Sequence, residues 1–318
     1  MEKAGECENM SNFIQICIYE EGGAAVRIRW LSVLLLAAVL SMLSAVALGE
    51  KENIAHYLLI GVDGWGLNEE GSARSDAIIL ASLDYGRDRI LFTSFARDSI
   101  VKPSYRKGTV KLNTLVRSSE GEQVLAEYFE EAFGLEIEGY FVINFSGAVD
   151  LINALGGLTL ELSQDEVYYI DYHAGDYRGY PLSPGVCRVN GAQALYYMRC
   201  RNLDNDFGRQ GRQGNVLRAV MEKVSSLSPL RAMGLLDDVL GMYRTSLHGG
   251  RQVELALHAL KLRDAEVITH SLPAEGTYRY GRDSHGTSGL LFDLEENRVR
   301  LYEWLEIENP FDNEKKIE

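Results

Sequence analysis

HYLLIGVDGWGLNEEGSARSDAIILASLDYGRDRILFTSF, residues 56–95, is the stretch that decides the fold. Apolar runs at residues 56–62, 77–83 and 89–95 have the length and composition of buried strands. Between the second and third runs, DYGRD at residues 84–88 carries the glycine and aspartates that favour a hairpin turn. The stretch therefore predicts a sheet that begins with three successive strands.

Helices alternate with further strands downstream. Ser119 with Glu122, and Asn190 with Gln193, have the spacing of capping boxes that start helices. Strands are predicted at residues 140–144, 158–162 and 266–272, and helices at residues 122–133, 145–155, 190–197 and 208–224. Strands mixed with helices throughout predict one layered α/β domain that ends near residue 305.

The N-terminal part of the chain contains an uncharged run, WLSVLLLAAVLSMLSAVAL, at residues 30–48. A run of about 19 residues is near the length that crosses a bilayer as a helix. Arg27 and Arg29 precede it, so the positive-inside rule predicts a cytoplasmic N-terminus and an outward-facing domain. A signal peptide cleaved after AVA (residues 45–47) gives the same compartment, whereas a buried core helix does not.

Composition excludes some classes of function. The chain has 318 residues and a net charge of −14, which argues against nonspecific nucleic-acid binding. Its four cysteines form no CxxC motif, so a zinc site is not expected. Cys187 and Cys200 lie in the part predicted to be exported, where they either form a disulfide or remain buried free thiols.

Charged side chains are predicted to meet at one edge of the sheet. Asp63 ends the first predicted strand, Arg74 and Asp76 precede the second, and Arg97 and Asp98 follow the third. Parallel or mixed sheets bring such strand ends together, and clustered carboxylates are ligands that Mg²⁺ prefers. The alternative is that each aspartate is only a turn residue.

A second charged segment, RCRNLDNDFGRQGRQ at residues 199–213, contains four arginines in an acidic protein: Arg199, Arg201, Arg209 and Arg212. Asp206 suits a helix N-cap, which places Arg209, Arg212 and Gln213 on the first turns of a helix. Cations there oppose the helix dipole, and an anionic ligand such as a pyrophosphate would resolve the conflict. The alternative is a solvated charged face with salt bridges to Asp204 and Asp206.

In order, seven segments resemble motifs of the LytR-CpsA-Psr family. They are LLIGVDGWG, ARSDAIILASL, RILFTSFARDS, KLN, YFVINFSGAVDLINALGGLTLEL, LSPGVCRVNGAQALYYMRCR and DFGRQGRQGNVLRAV, and they span about residues 57–220. The resemblance implies a cytoplasmic tail (residues 1–29), a transmembrane anchor (30–49), an extracytoplasmic catalytic domain (50–305) and a polar C-terminal tail (306–318). It also implies that the domain is a three-layer α/β/α structure with a central mixed sheet.

The resemblance also implies an activity. The expected reaction is Mg²⁺-assisted transfer of a phosphate-linked glycopolymer, such as teichoic acid or capsular polysaccharide, from a polyprenyl-pyrophosphate carrier to peptidoglycan at the cytoplasmic membrane. Asp63 and Asp76 match acidic positions near the metal and the pyrophosphate. The matching basic cradle comprises Arg74, Arg97, Arg199, Arg201, Arg209 and Arg212, together with Gln213.

Two further roles are expected from this activity. Asp63 or Asp98 would accept the proton of the attacking hydroxyl. The prenyl tail would occupy an apolar channel lined by the sheet and the helix at residues 122–133. The chain departs from the family pattern at Ala96, where proline is usual, at Gly214, where glutamine is usual, and at Trp65 and Gly66, where an arginine often occurs nearby.

Two other functions fit the same residues. One is a noncatalytic, membrane-anchored module that binds lipid-linked glycans or regulates envelope assembly. The other is a polyprenyl-pyrophosphate hydrolase that uses water as the acceptor. The Asp63 and Asp76 pair favours an enzyme over a binding module, since binding alone would need only the arginines.

Overall fold

The strands of the computed structural model are β1 (Ile54–Val62), β2 (Ser75–Asp84), β3 (Arg89–Phe95), β4 (Ile100–Val101), β5 (Val110–Lys111), β6 (Ile137–Ile143), β7 (Leu158–Leu162), β8 (Gly185–Val189), β9 (Tyr243–Thr245), β10 (Glu266–Leu272), β11 (Tyr278–Arg282) and β12 (Ser288–Phe292). Six of them form a central mixed sheet in the order β10-β3-β2-β1-β6-β9. The other six pair as β4-β5, β7-β8 and β11-β12. The three strands predicted from residues 56–95 are thus confirmed.

The structure describes residues 54–63, 74–117, 121–174, 179–200, 203, 206–228, 231, 234–235, 239 and 241–312. The predicted cytoplasmic tail and anchor, Trp65, Gly66, Ser119, Arg201 and Asp204 lie outside these residues, as does the end of the polar tail. Within the described ranges, none of the helices combines the length and the apolar composition that a membrane crossing requires.

Strand direction brings four carboxyl ends to one side of the sheet. β1 is antiparallel to β2, and β2 is antiparallel to β3, which confirms the predicted hairpin at residues 84–88. β6 runs parallel to β1, and β10 runs parallel to β3. The ends of β1, β3, β6 and β10 therefore lie beside the start of β2, and we call this boundary the site edge.

Seven α-helices are described along these ranges: α1 (Gly121–Phe133), α2 (Phe145–Ala154), α3 (Gln164–Ala174), α4 (Gly191–Arg199), α5 (Asp206–Ser225), α6 (Gly249–Lys261) and α7 (Leu294–Leu305). The predicted capping box at Asn190 and Gln193 is present at the start of α4. Gly134, which follows α1, has φ +68°, the left-handed conformation expected of a glycine that ends a helix.

Helices α1 and α7 cover one face of the sheet, which we call the packed face. Leu58 and Ile60 of β1 point to it and join a core with Phe129 of α1 and Leu301 of α7. Phe95 lies 4.6 Å from Phe129, ring centroid to ring centroid, in an edge-to-face contact. This face is closely filled by side chains, as protein interiors normally are.

Helices α2, α4 and α5 cover the opposite face, which we call the cavity face. Leu59 of β1 and Ile79 of β2 point to this side, one residue out of step with the packed-face positions. The domain is therefore layered as helices, mixed sheet and helices. Cys187 and Cys200 are both free thiols, so the alternative with a disulfide between them is not the one observed.

Candidate functional site

The site edge begins where β1 and β2 separate. The backbone N–H of Asp63 donates to the carbonyl of Arg74 at 3.0 Å, which holds the two residues opposite each other, and both are exposed. The register between β1 and β2 shifts between Gly61 and Val62, and this irregularity lies directly before Asp63. Asp76, two residues after Arg74, lines a cavity on the cavity face.

The loop after β3 adds a second set of charges. Arg97 forms an ion pair with Asp76 across the sheet, and Asp98 accepts a hydrogen bond from the Lys111 Nζ at 2.9 Å. The Arg97 carbonyl also accepts the backbone N–H of Asn113 at 3.0 Å. The segment at residues 111–113 therefore fixes the position of the Arg97-Asp98 loop, and it brings Lys111, a cation that the sequence prediction did not include, to the site.

The cavity itself lies between the sheet and the helices of the cavity face, and its volume is about 340 Å³. Its walls are almost wholly apolar and come from β1, β2, β6, β9, α2, α4 and α5. The polar or charged side chains among its lining residues are Asp76, Asn144, Arg199, Arg209, Gln213 and Tyr243. The cavity thus combines an apolar interior with guanidinium groups, a pattern suited to an amphiphile with an anionic head.

Arg199 stands at the C-terminal end of α4, where a cation agrees with the helix dipole. Its guanidinium carbon lies 4.3 Å from the centroid of the Phe145 ring, at the first residue of α2. This stacking fixes the orientation of the planar guanidinium at the cavity. The sequence prediction included Arg199 but not Phe145, because nothing in the spacing of the two residues indicates their contact.

Helix α5 carries the remaining predicted residues. Asp206 is the first residue of the helix instead of the predicted N-cap, and its Oδ1 lies 2.7 Å from Nη2 of Arg209. Arg209 is only 4% exposed and lines the cavity together with Gln213. The structure therefore places Arg199, Arg209, Gln213 and Asp76 at one cavity.

Arg212 has a different environment. Its Nη2 donates to the carbonyl of Cys200 at 2.6 Å, and its Nη1 lies 3.5 Å from Oε1 of Glu166 on α3. It is 5% exposed and is not among the residues that line the cavity. In this geometry Arg212 ties α5 to the end of α4 and to α3, which sets the position of the helix that carries Arg209.

The apolar channel expected beside residues 122–133 is on the other side of the sheet. That helix, α1, packs into the core of the packed face and does not line the cavity. The expectation was wrong because an amphipathic helix pattern shows that one side is buried without showing which face of the sheet it meets.

Two residues that depart from the family pattern, Ala96 and Gly214, make specific contacts in the structure. The backbone N–H of Ala96 donates to the carbonyl of Leu272 at 2.8 Å and extends the pairing of β3 with β10. A proline has no N–H and would lose this bond. Gly214 faces Thr269 of β10, and a Cβ at this position would lie 3.4 Å from the threonine side chain. Ala96 therefore extends the pairing at the ends of β3 and β10, and Gly214 lets the middle of α5 approach the middle of β10.

The fold and site define a class of protein: a layered α/β domain that holds an arginine-bearing apolar cavity beside the carboxyl ends of its central strands. The profile of the LytR_cpsA_psr family matches residues 40–298. This chain therefore belongs to the LytR-CpsA-Psr family.

Two curated relatives show how far the similarity extends. A polyisoprenyl-teichoic acid–peptidoglycan teichoic acid transferase, TagU of Oceanobacillus iheyensis, is 31% identical over 200 residues, 60% of this chain and 58% of the relative. Biofilm regulatory protein A of Streptococcus mutans is 33% identical over 232 residues, 69% of this chain and 56% of the relative. The match thus spans a little under three fifths of the length of these relatives.

A solved structure supports the fold. The structure of protein gbs0355 from Streptococcus agalactiae superimposes with a TM-score of 0.67 and 26% sequence identity. The superposition covers 81% of this chain and 89% of that protein. The central sheet with helices on both faces is therefore an architecture that has been observed experimentally.

Proposed function

We propose that this protein transfers a phosphate-linked glycopolymer from a polyprenyl-pyrophosphate carrier to peptidoglycan. The observation that carries the proposal is the cavity, whose apolar walls suit a hydrocarbon tail and whose guanidinium groups suit a pyrophosphate. The similarity to the Oceanobacillus iheyensis relative, which is named a polyisoprenyl-teichoic acid–peptidoglycan teichoic acid transferase, supports the same substrate class.

In this proposal the prenyl chain lies against the cavity face of the sheet and the pyrophosphate lies near Arg199 and Arg209. An acceptor hydroxyl attacks the phosphorus that carries the glycan, and the bond from that phosphorus to the bridging oxygen breaks. The glycan phosphate becomes a phosphodiester on peptidoglycan, and polyprenyl phosphate leaves. Phosphoryl transfer of this kind depends mainly on positioning and on neutralising phosphate charge, which fixed arginines provide.

The family implies a magnesium ion, and the carboxylates at the site edge fit one. Asp63 directly follows β1 and Asp76 lies on the neighbouring strand β2, so their carboxylates could both face one ion; Mg²⁺ in phosphate sites commonly uses one or two carboxylates together with substrate phosphates. Among the described residues there is no group of three or more candidate metal ligands, so the substrate would complete the coordination. When bound, the ion would neutralise charge on the phosphate oxygens.

We propose that Asp98 accepts the proton of the acceptor hydroxyl. Its side chain is 34% exposed, and the Lys111 ammonium holds one of its oxygens at 2.9 Å. Its other oxygen, Oδ2, lies 4.0 Å from Nε of Arg97, and a partly exposed carboxylate held between these two cations is placed to receive a proton from an incoming hydroxyl. Arg97, which pairs with Asp76 and lies next to Asp98 in the chain, would align the phosphate with this base.

We also propose that residues 30–49 anchor the protein in the cytoplasmic membrane, with the N-terminus inside and the catalytic domain outside. The carrier lipid and the peptidoglycan acceptor are both found on that side. Tethering the domain to the bilayer raises the local concentration of a membrane-bound donor.

The test is a reaction of the full-length chain with a lipid-pyrophosphate-linked disaccharide and peptidoglycan oligomers, with Mg²⁺ or with EDTA. Mass spectrometry is expected to show a phosphodiester-linked disaccharide on the oligomers with Mg²⁺ only. Release of sugar phosphate without attachment would make the protein a hydrolase. Lipid binding without any product would identify the protein as a binding module. Equal amounts of product with EDTA and with Mg²⁺ would contradict the proposed role of the metal.

A further inference from the structure

Helix α3 exposes two large aromatic rings to solvent. Tyr168 and Tyr172 are 71% and 73% exposed, and they lie one turn apart on the helix. Their ring centroids are 6.4 Å apart and their planes differ by 20°, so the two rings stack on each other and form one exposed aromatic patch. We call these two residues the tyrosine platform. Adjacent exposed rings of this size often mark a binding surface.

The platform is connected to the candidate site by side chains of the same helix. Tyr169 donates its hydroxyl to the carbonyl of Arg199 at 3.4 Å, and its ring stacks on His173 at 3.9 Å. Glu166 lies 3.5 Å from Arg212. From Glu166 to Tyr172 the helix rises by about 9 Å. Tyr169 therefore joins the helix that carries the platform to Arg199, one of the residues that line the cavity.

The charge of α3 limits what the platform can bind. The helix reads QDEVYYIDYHA and has no lysine or arginine; Glu166 is paired with Arg212, and Asp165 and Asp171 carry further negative charge. A polymer that carries many phosphates would be repelled by these carboxylates, as would an anionic bilayer surface. Sugar rings, which present uncharged apolar faces, are not repelled.

We propose that the tyrosine platform binds the sugar rings of the acceptor glycan strand and directs its hydroxyl toward the cavity. This inference rests on the transferase function proposed above. Tyrosine gives a large, rigid contact surface with little side-chain entropy to lose. The acceptor strand is the occupant because the donor polymer carries phosphates that α3 repels, and because α3 contacts the cavity residue Arg199 through Tyr169 while the platform itself does not line the cavity.

The test measures binding by the full-length chain of a tetrasaccharide of alternating N-acetylglucosamine and N-acetylmuramic acid whose lactyl carboxyl groups are amidated, so that the probe carries no charge. The double variant Tyr168→Ala, Tyr172→Ala is expected to bind it about tenfold more weakly in calorimetry. Tyr168→Phe with Tyr172→Phe should bind normally, because the ring faces are retained. Tyr105→Ala, which removes another exposed tyrosine (59% exposed), is the matched control.

Binding is measured without turnover, so its outcome does not depend on whether transfer occurs. Unchanged tetrasaccharide affinity in the double alanine variant, or no binding by the wild type, would overturn the inference. Loss of affinity for the lipid-linked donor would assign the platform to the donor instead. Loss of binding to anionic phospholipid vesicles would assign it to the membrane. In both cases the acceptor assignment is wrong.

Discussion

The two faces of the central sheet share the same strands but differ in how they are filled. On the packed face, the rings of Phe129 and Phe133 of α1 lie 4.6 and 5.3 Å from the ring of Phe95 of β3, centroid to centroid, and 5.6 Å from each other. On the cavity face, α2, α4 and α5 leave about 340 Å³ open beside Arg199 and Arg209. The comparison suggests that one face stabilises the domain while the other is free to hold a ligand.

The largest expected effect is on the packed face. Phe129→Ala removes a side chain with no exposed surface and should lower the free energy of unfolding by about 3–5 kcal/mol. Leu151→Ala, which removes a side chain that already borders the cavity, should lower it by about 1–2 kcal/mol. Denaturant unfolding of both variants is the measurement. Equal losses would show that the two faces contribute equally to stability.

The second effect is on chemistry and should leave stability unchanged. Arg199→Ala is expected to reduce the transfer rate about 10²- to 10³-fold, because it removes a fixed cation from the phosphate site. Arg97→Ala and Asp76→Ala should act in the same direction. Arg300→Ala on α7, an exposed arginine of the packed side, is the control and should transfer normally. Full transfer activity in all three site variants would contradict the proposed site.

The third effect is a pH dependence of stability. Burial lowers the pKa of His56 to about 4, and its Nδ1 lies 2.9 Å from Oγ of Ser82. The unfolded chain takes up this proton near pH 6.5, so stability should fall as the pH drops from 6.5 toward 4. The slope from this group approaches about 1.4 kcal/mol per pH unit. His56→Gln should flatten the unfolding profile over this range; an unchanged profile would contradict the assignment.

The smallest effect tests the cavity directly. Ala148→Phe places a ring in the cavity and should weaken binding of a long-chain prenyl pyrophosphate by about tenfold, while a short-chain analogue binds normally. The matched change on the packed face, Ala126→Phe, should instead destabilise the fold by about 1–3 kcal/mol through overpacking. Equal affinity for the two chain lengths in Ala148→Phe would place the tail elsewhere.

Much of the fold follows from local sequence patterns. The apolar runs of β1, β2 and β3 and the turn at residues 84–88 are enough to predict the first three strands and their hairpin. The positions of Asp63, Asp76 and Arg97 at or beside the strand ends then predict that these residues share one edge of the sheet. These features are predictable because strand length, turn type and strand direction are determined by residues that are close together in the sequence.

Local sequence patterns do not show which face of the sheet a side chain or a helix will occupy. Leu58 and Leu59 are both leucines, yet one enters the core and the other lines the cavity. Helix α3 was not predicted, since its few buried residues, such as Val167 and Ile170, give a weak pattern. The contacts of Lys111 with Asp98 and of Phe145 with Arg199 join distant segments, and no local pattern shows them.

The stacking of Arg199 on Phe145 has a consequence for the thermodynamics of ligand capture. A free arginine side chain must give up rotational freedom when it binds an anion, which costs about 0.5–1.5 kcal/mol. A guanidinium already held 4.3 Å from a ring centroid has lost much of that freedom during folding. Conformational entropy therefore opposes binding less at this arginine, and a lysine, whose ammonium does not stack as a plane, would not confer the same advantage.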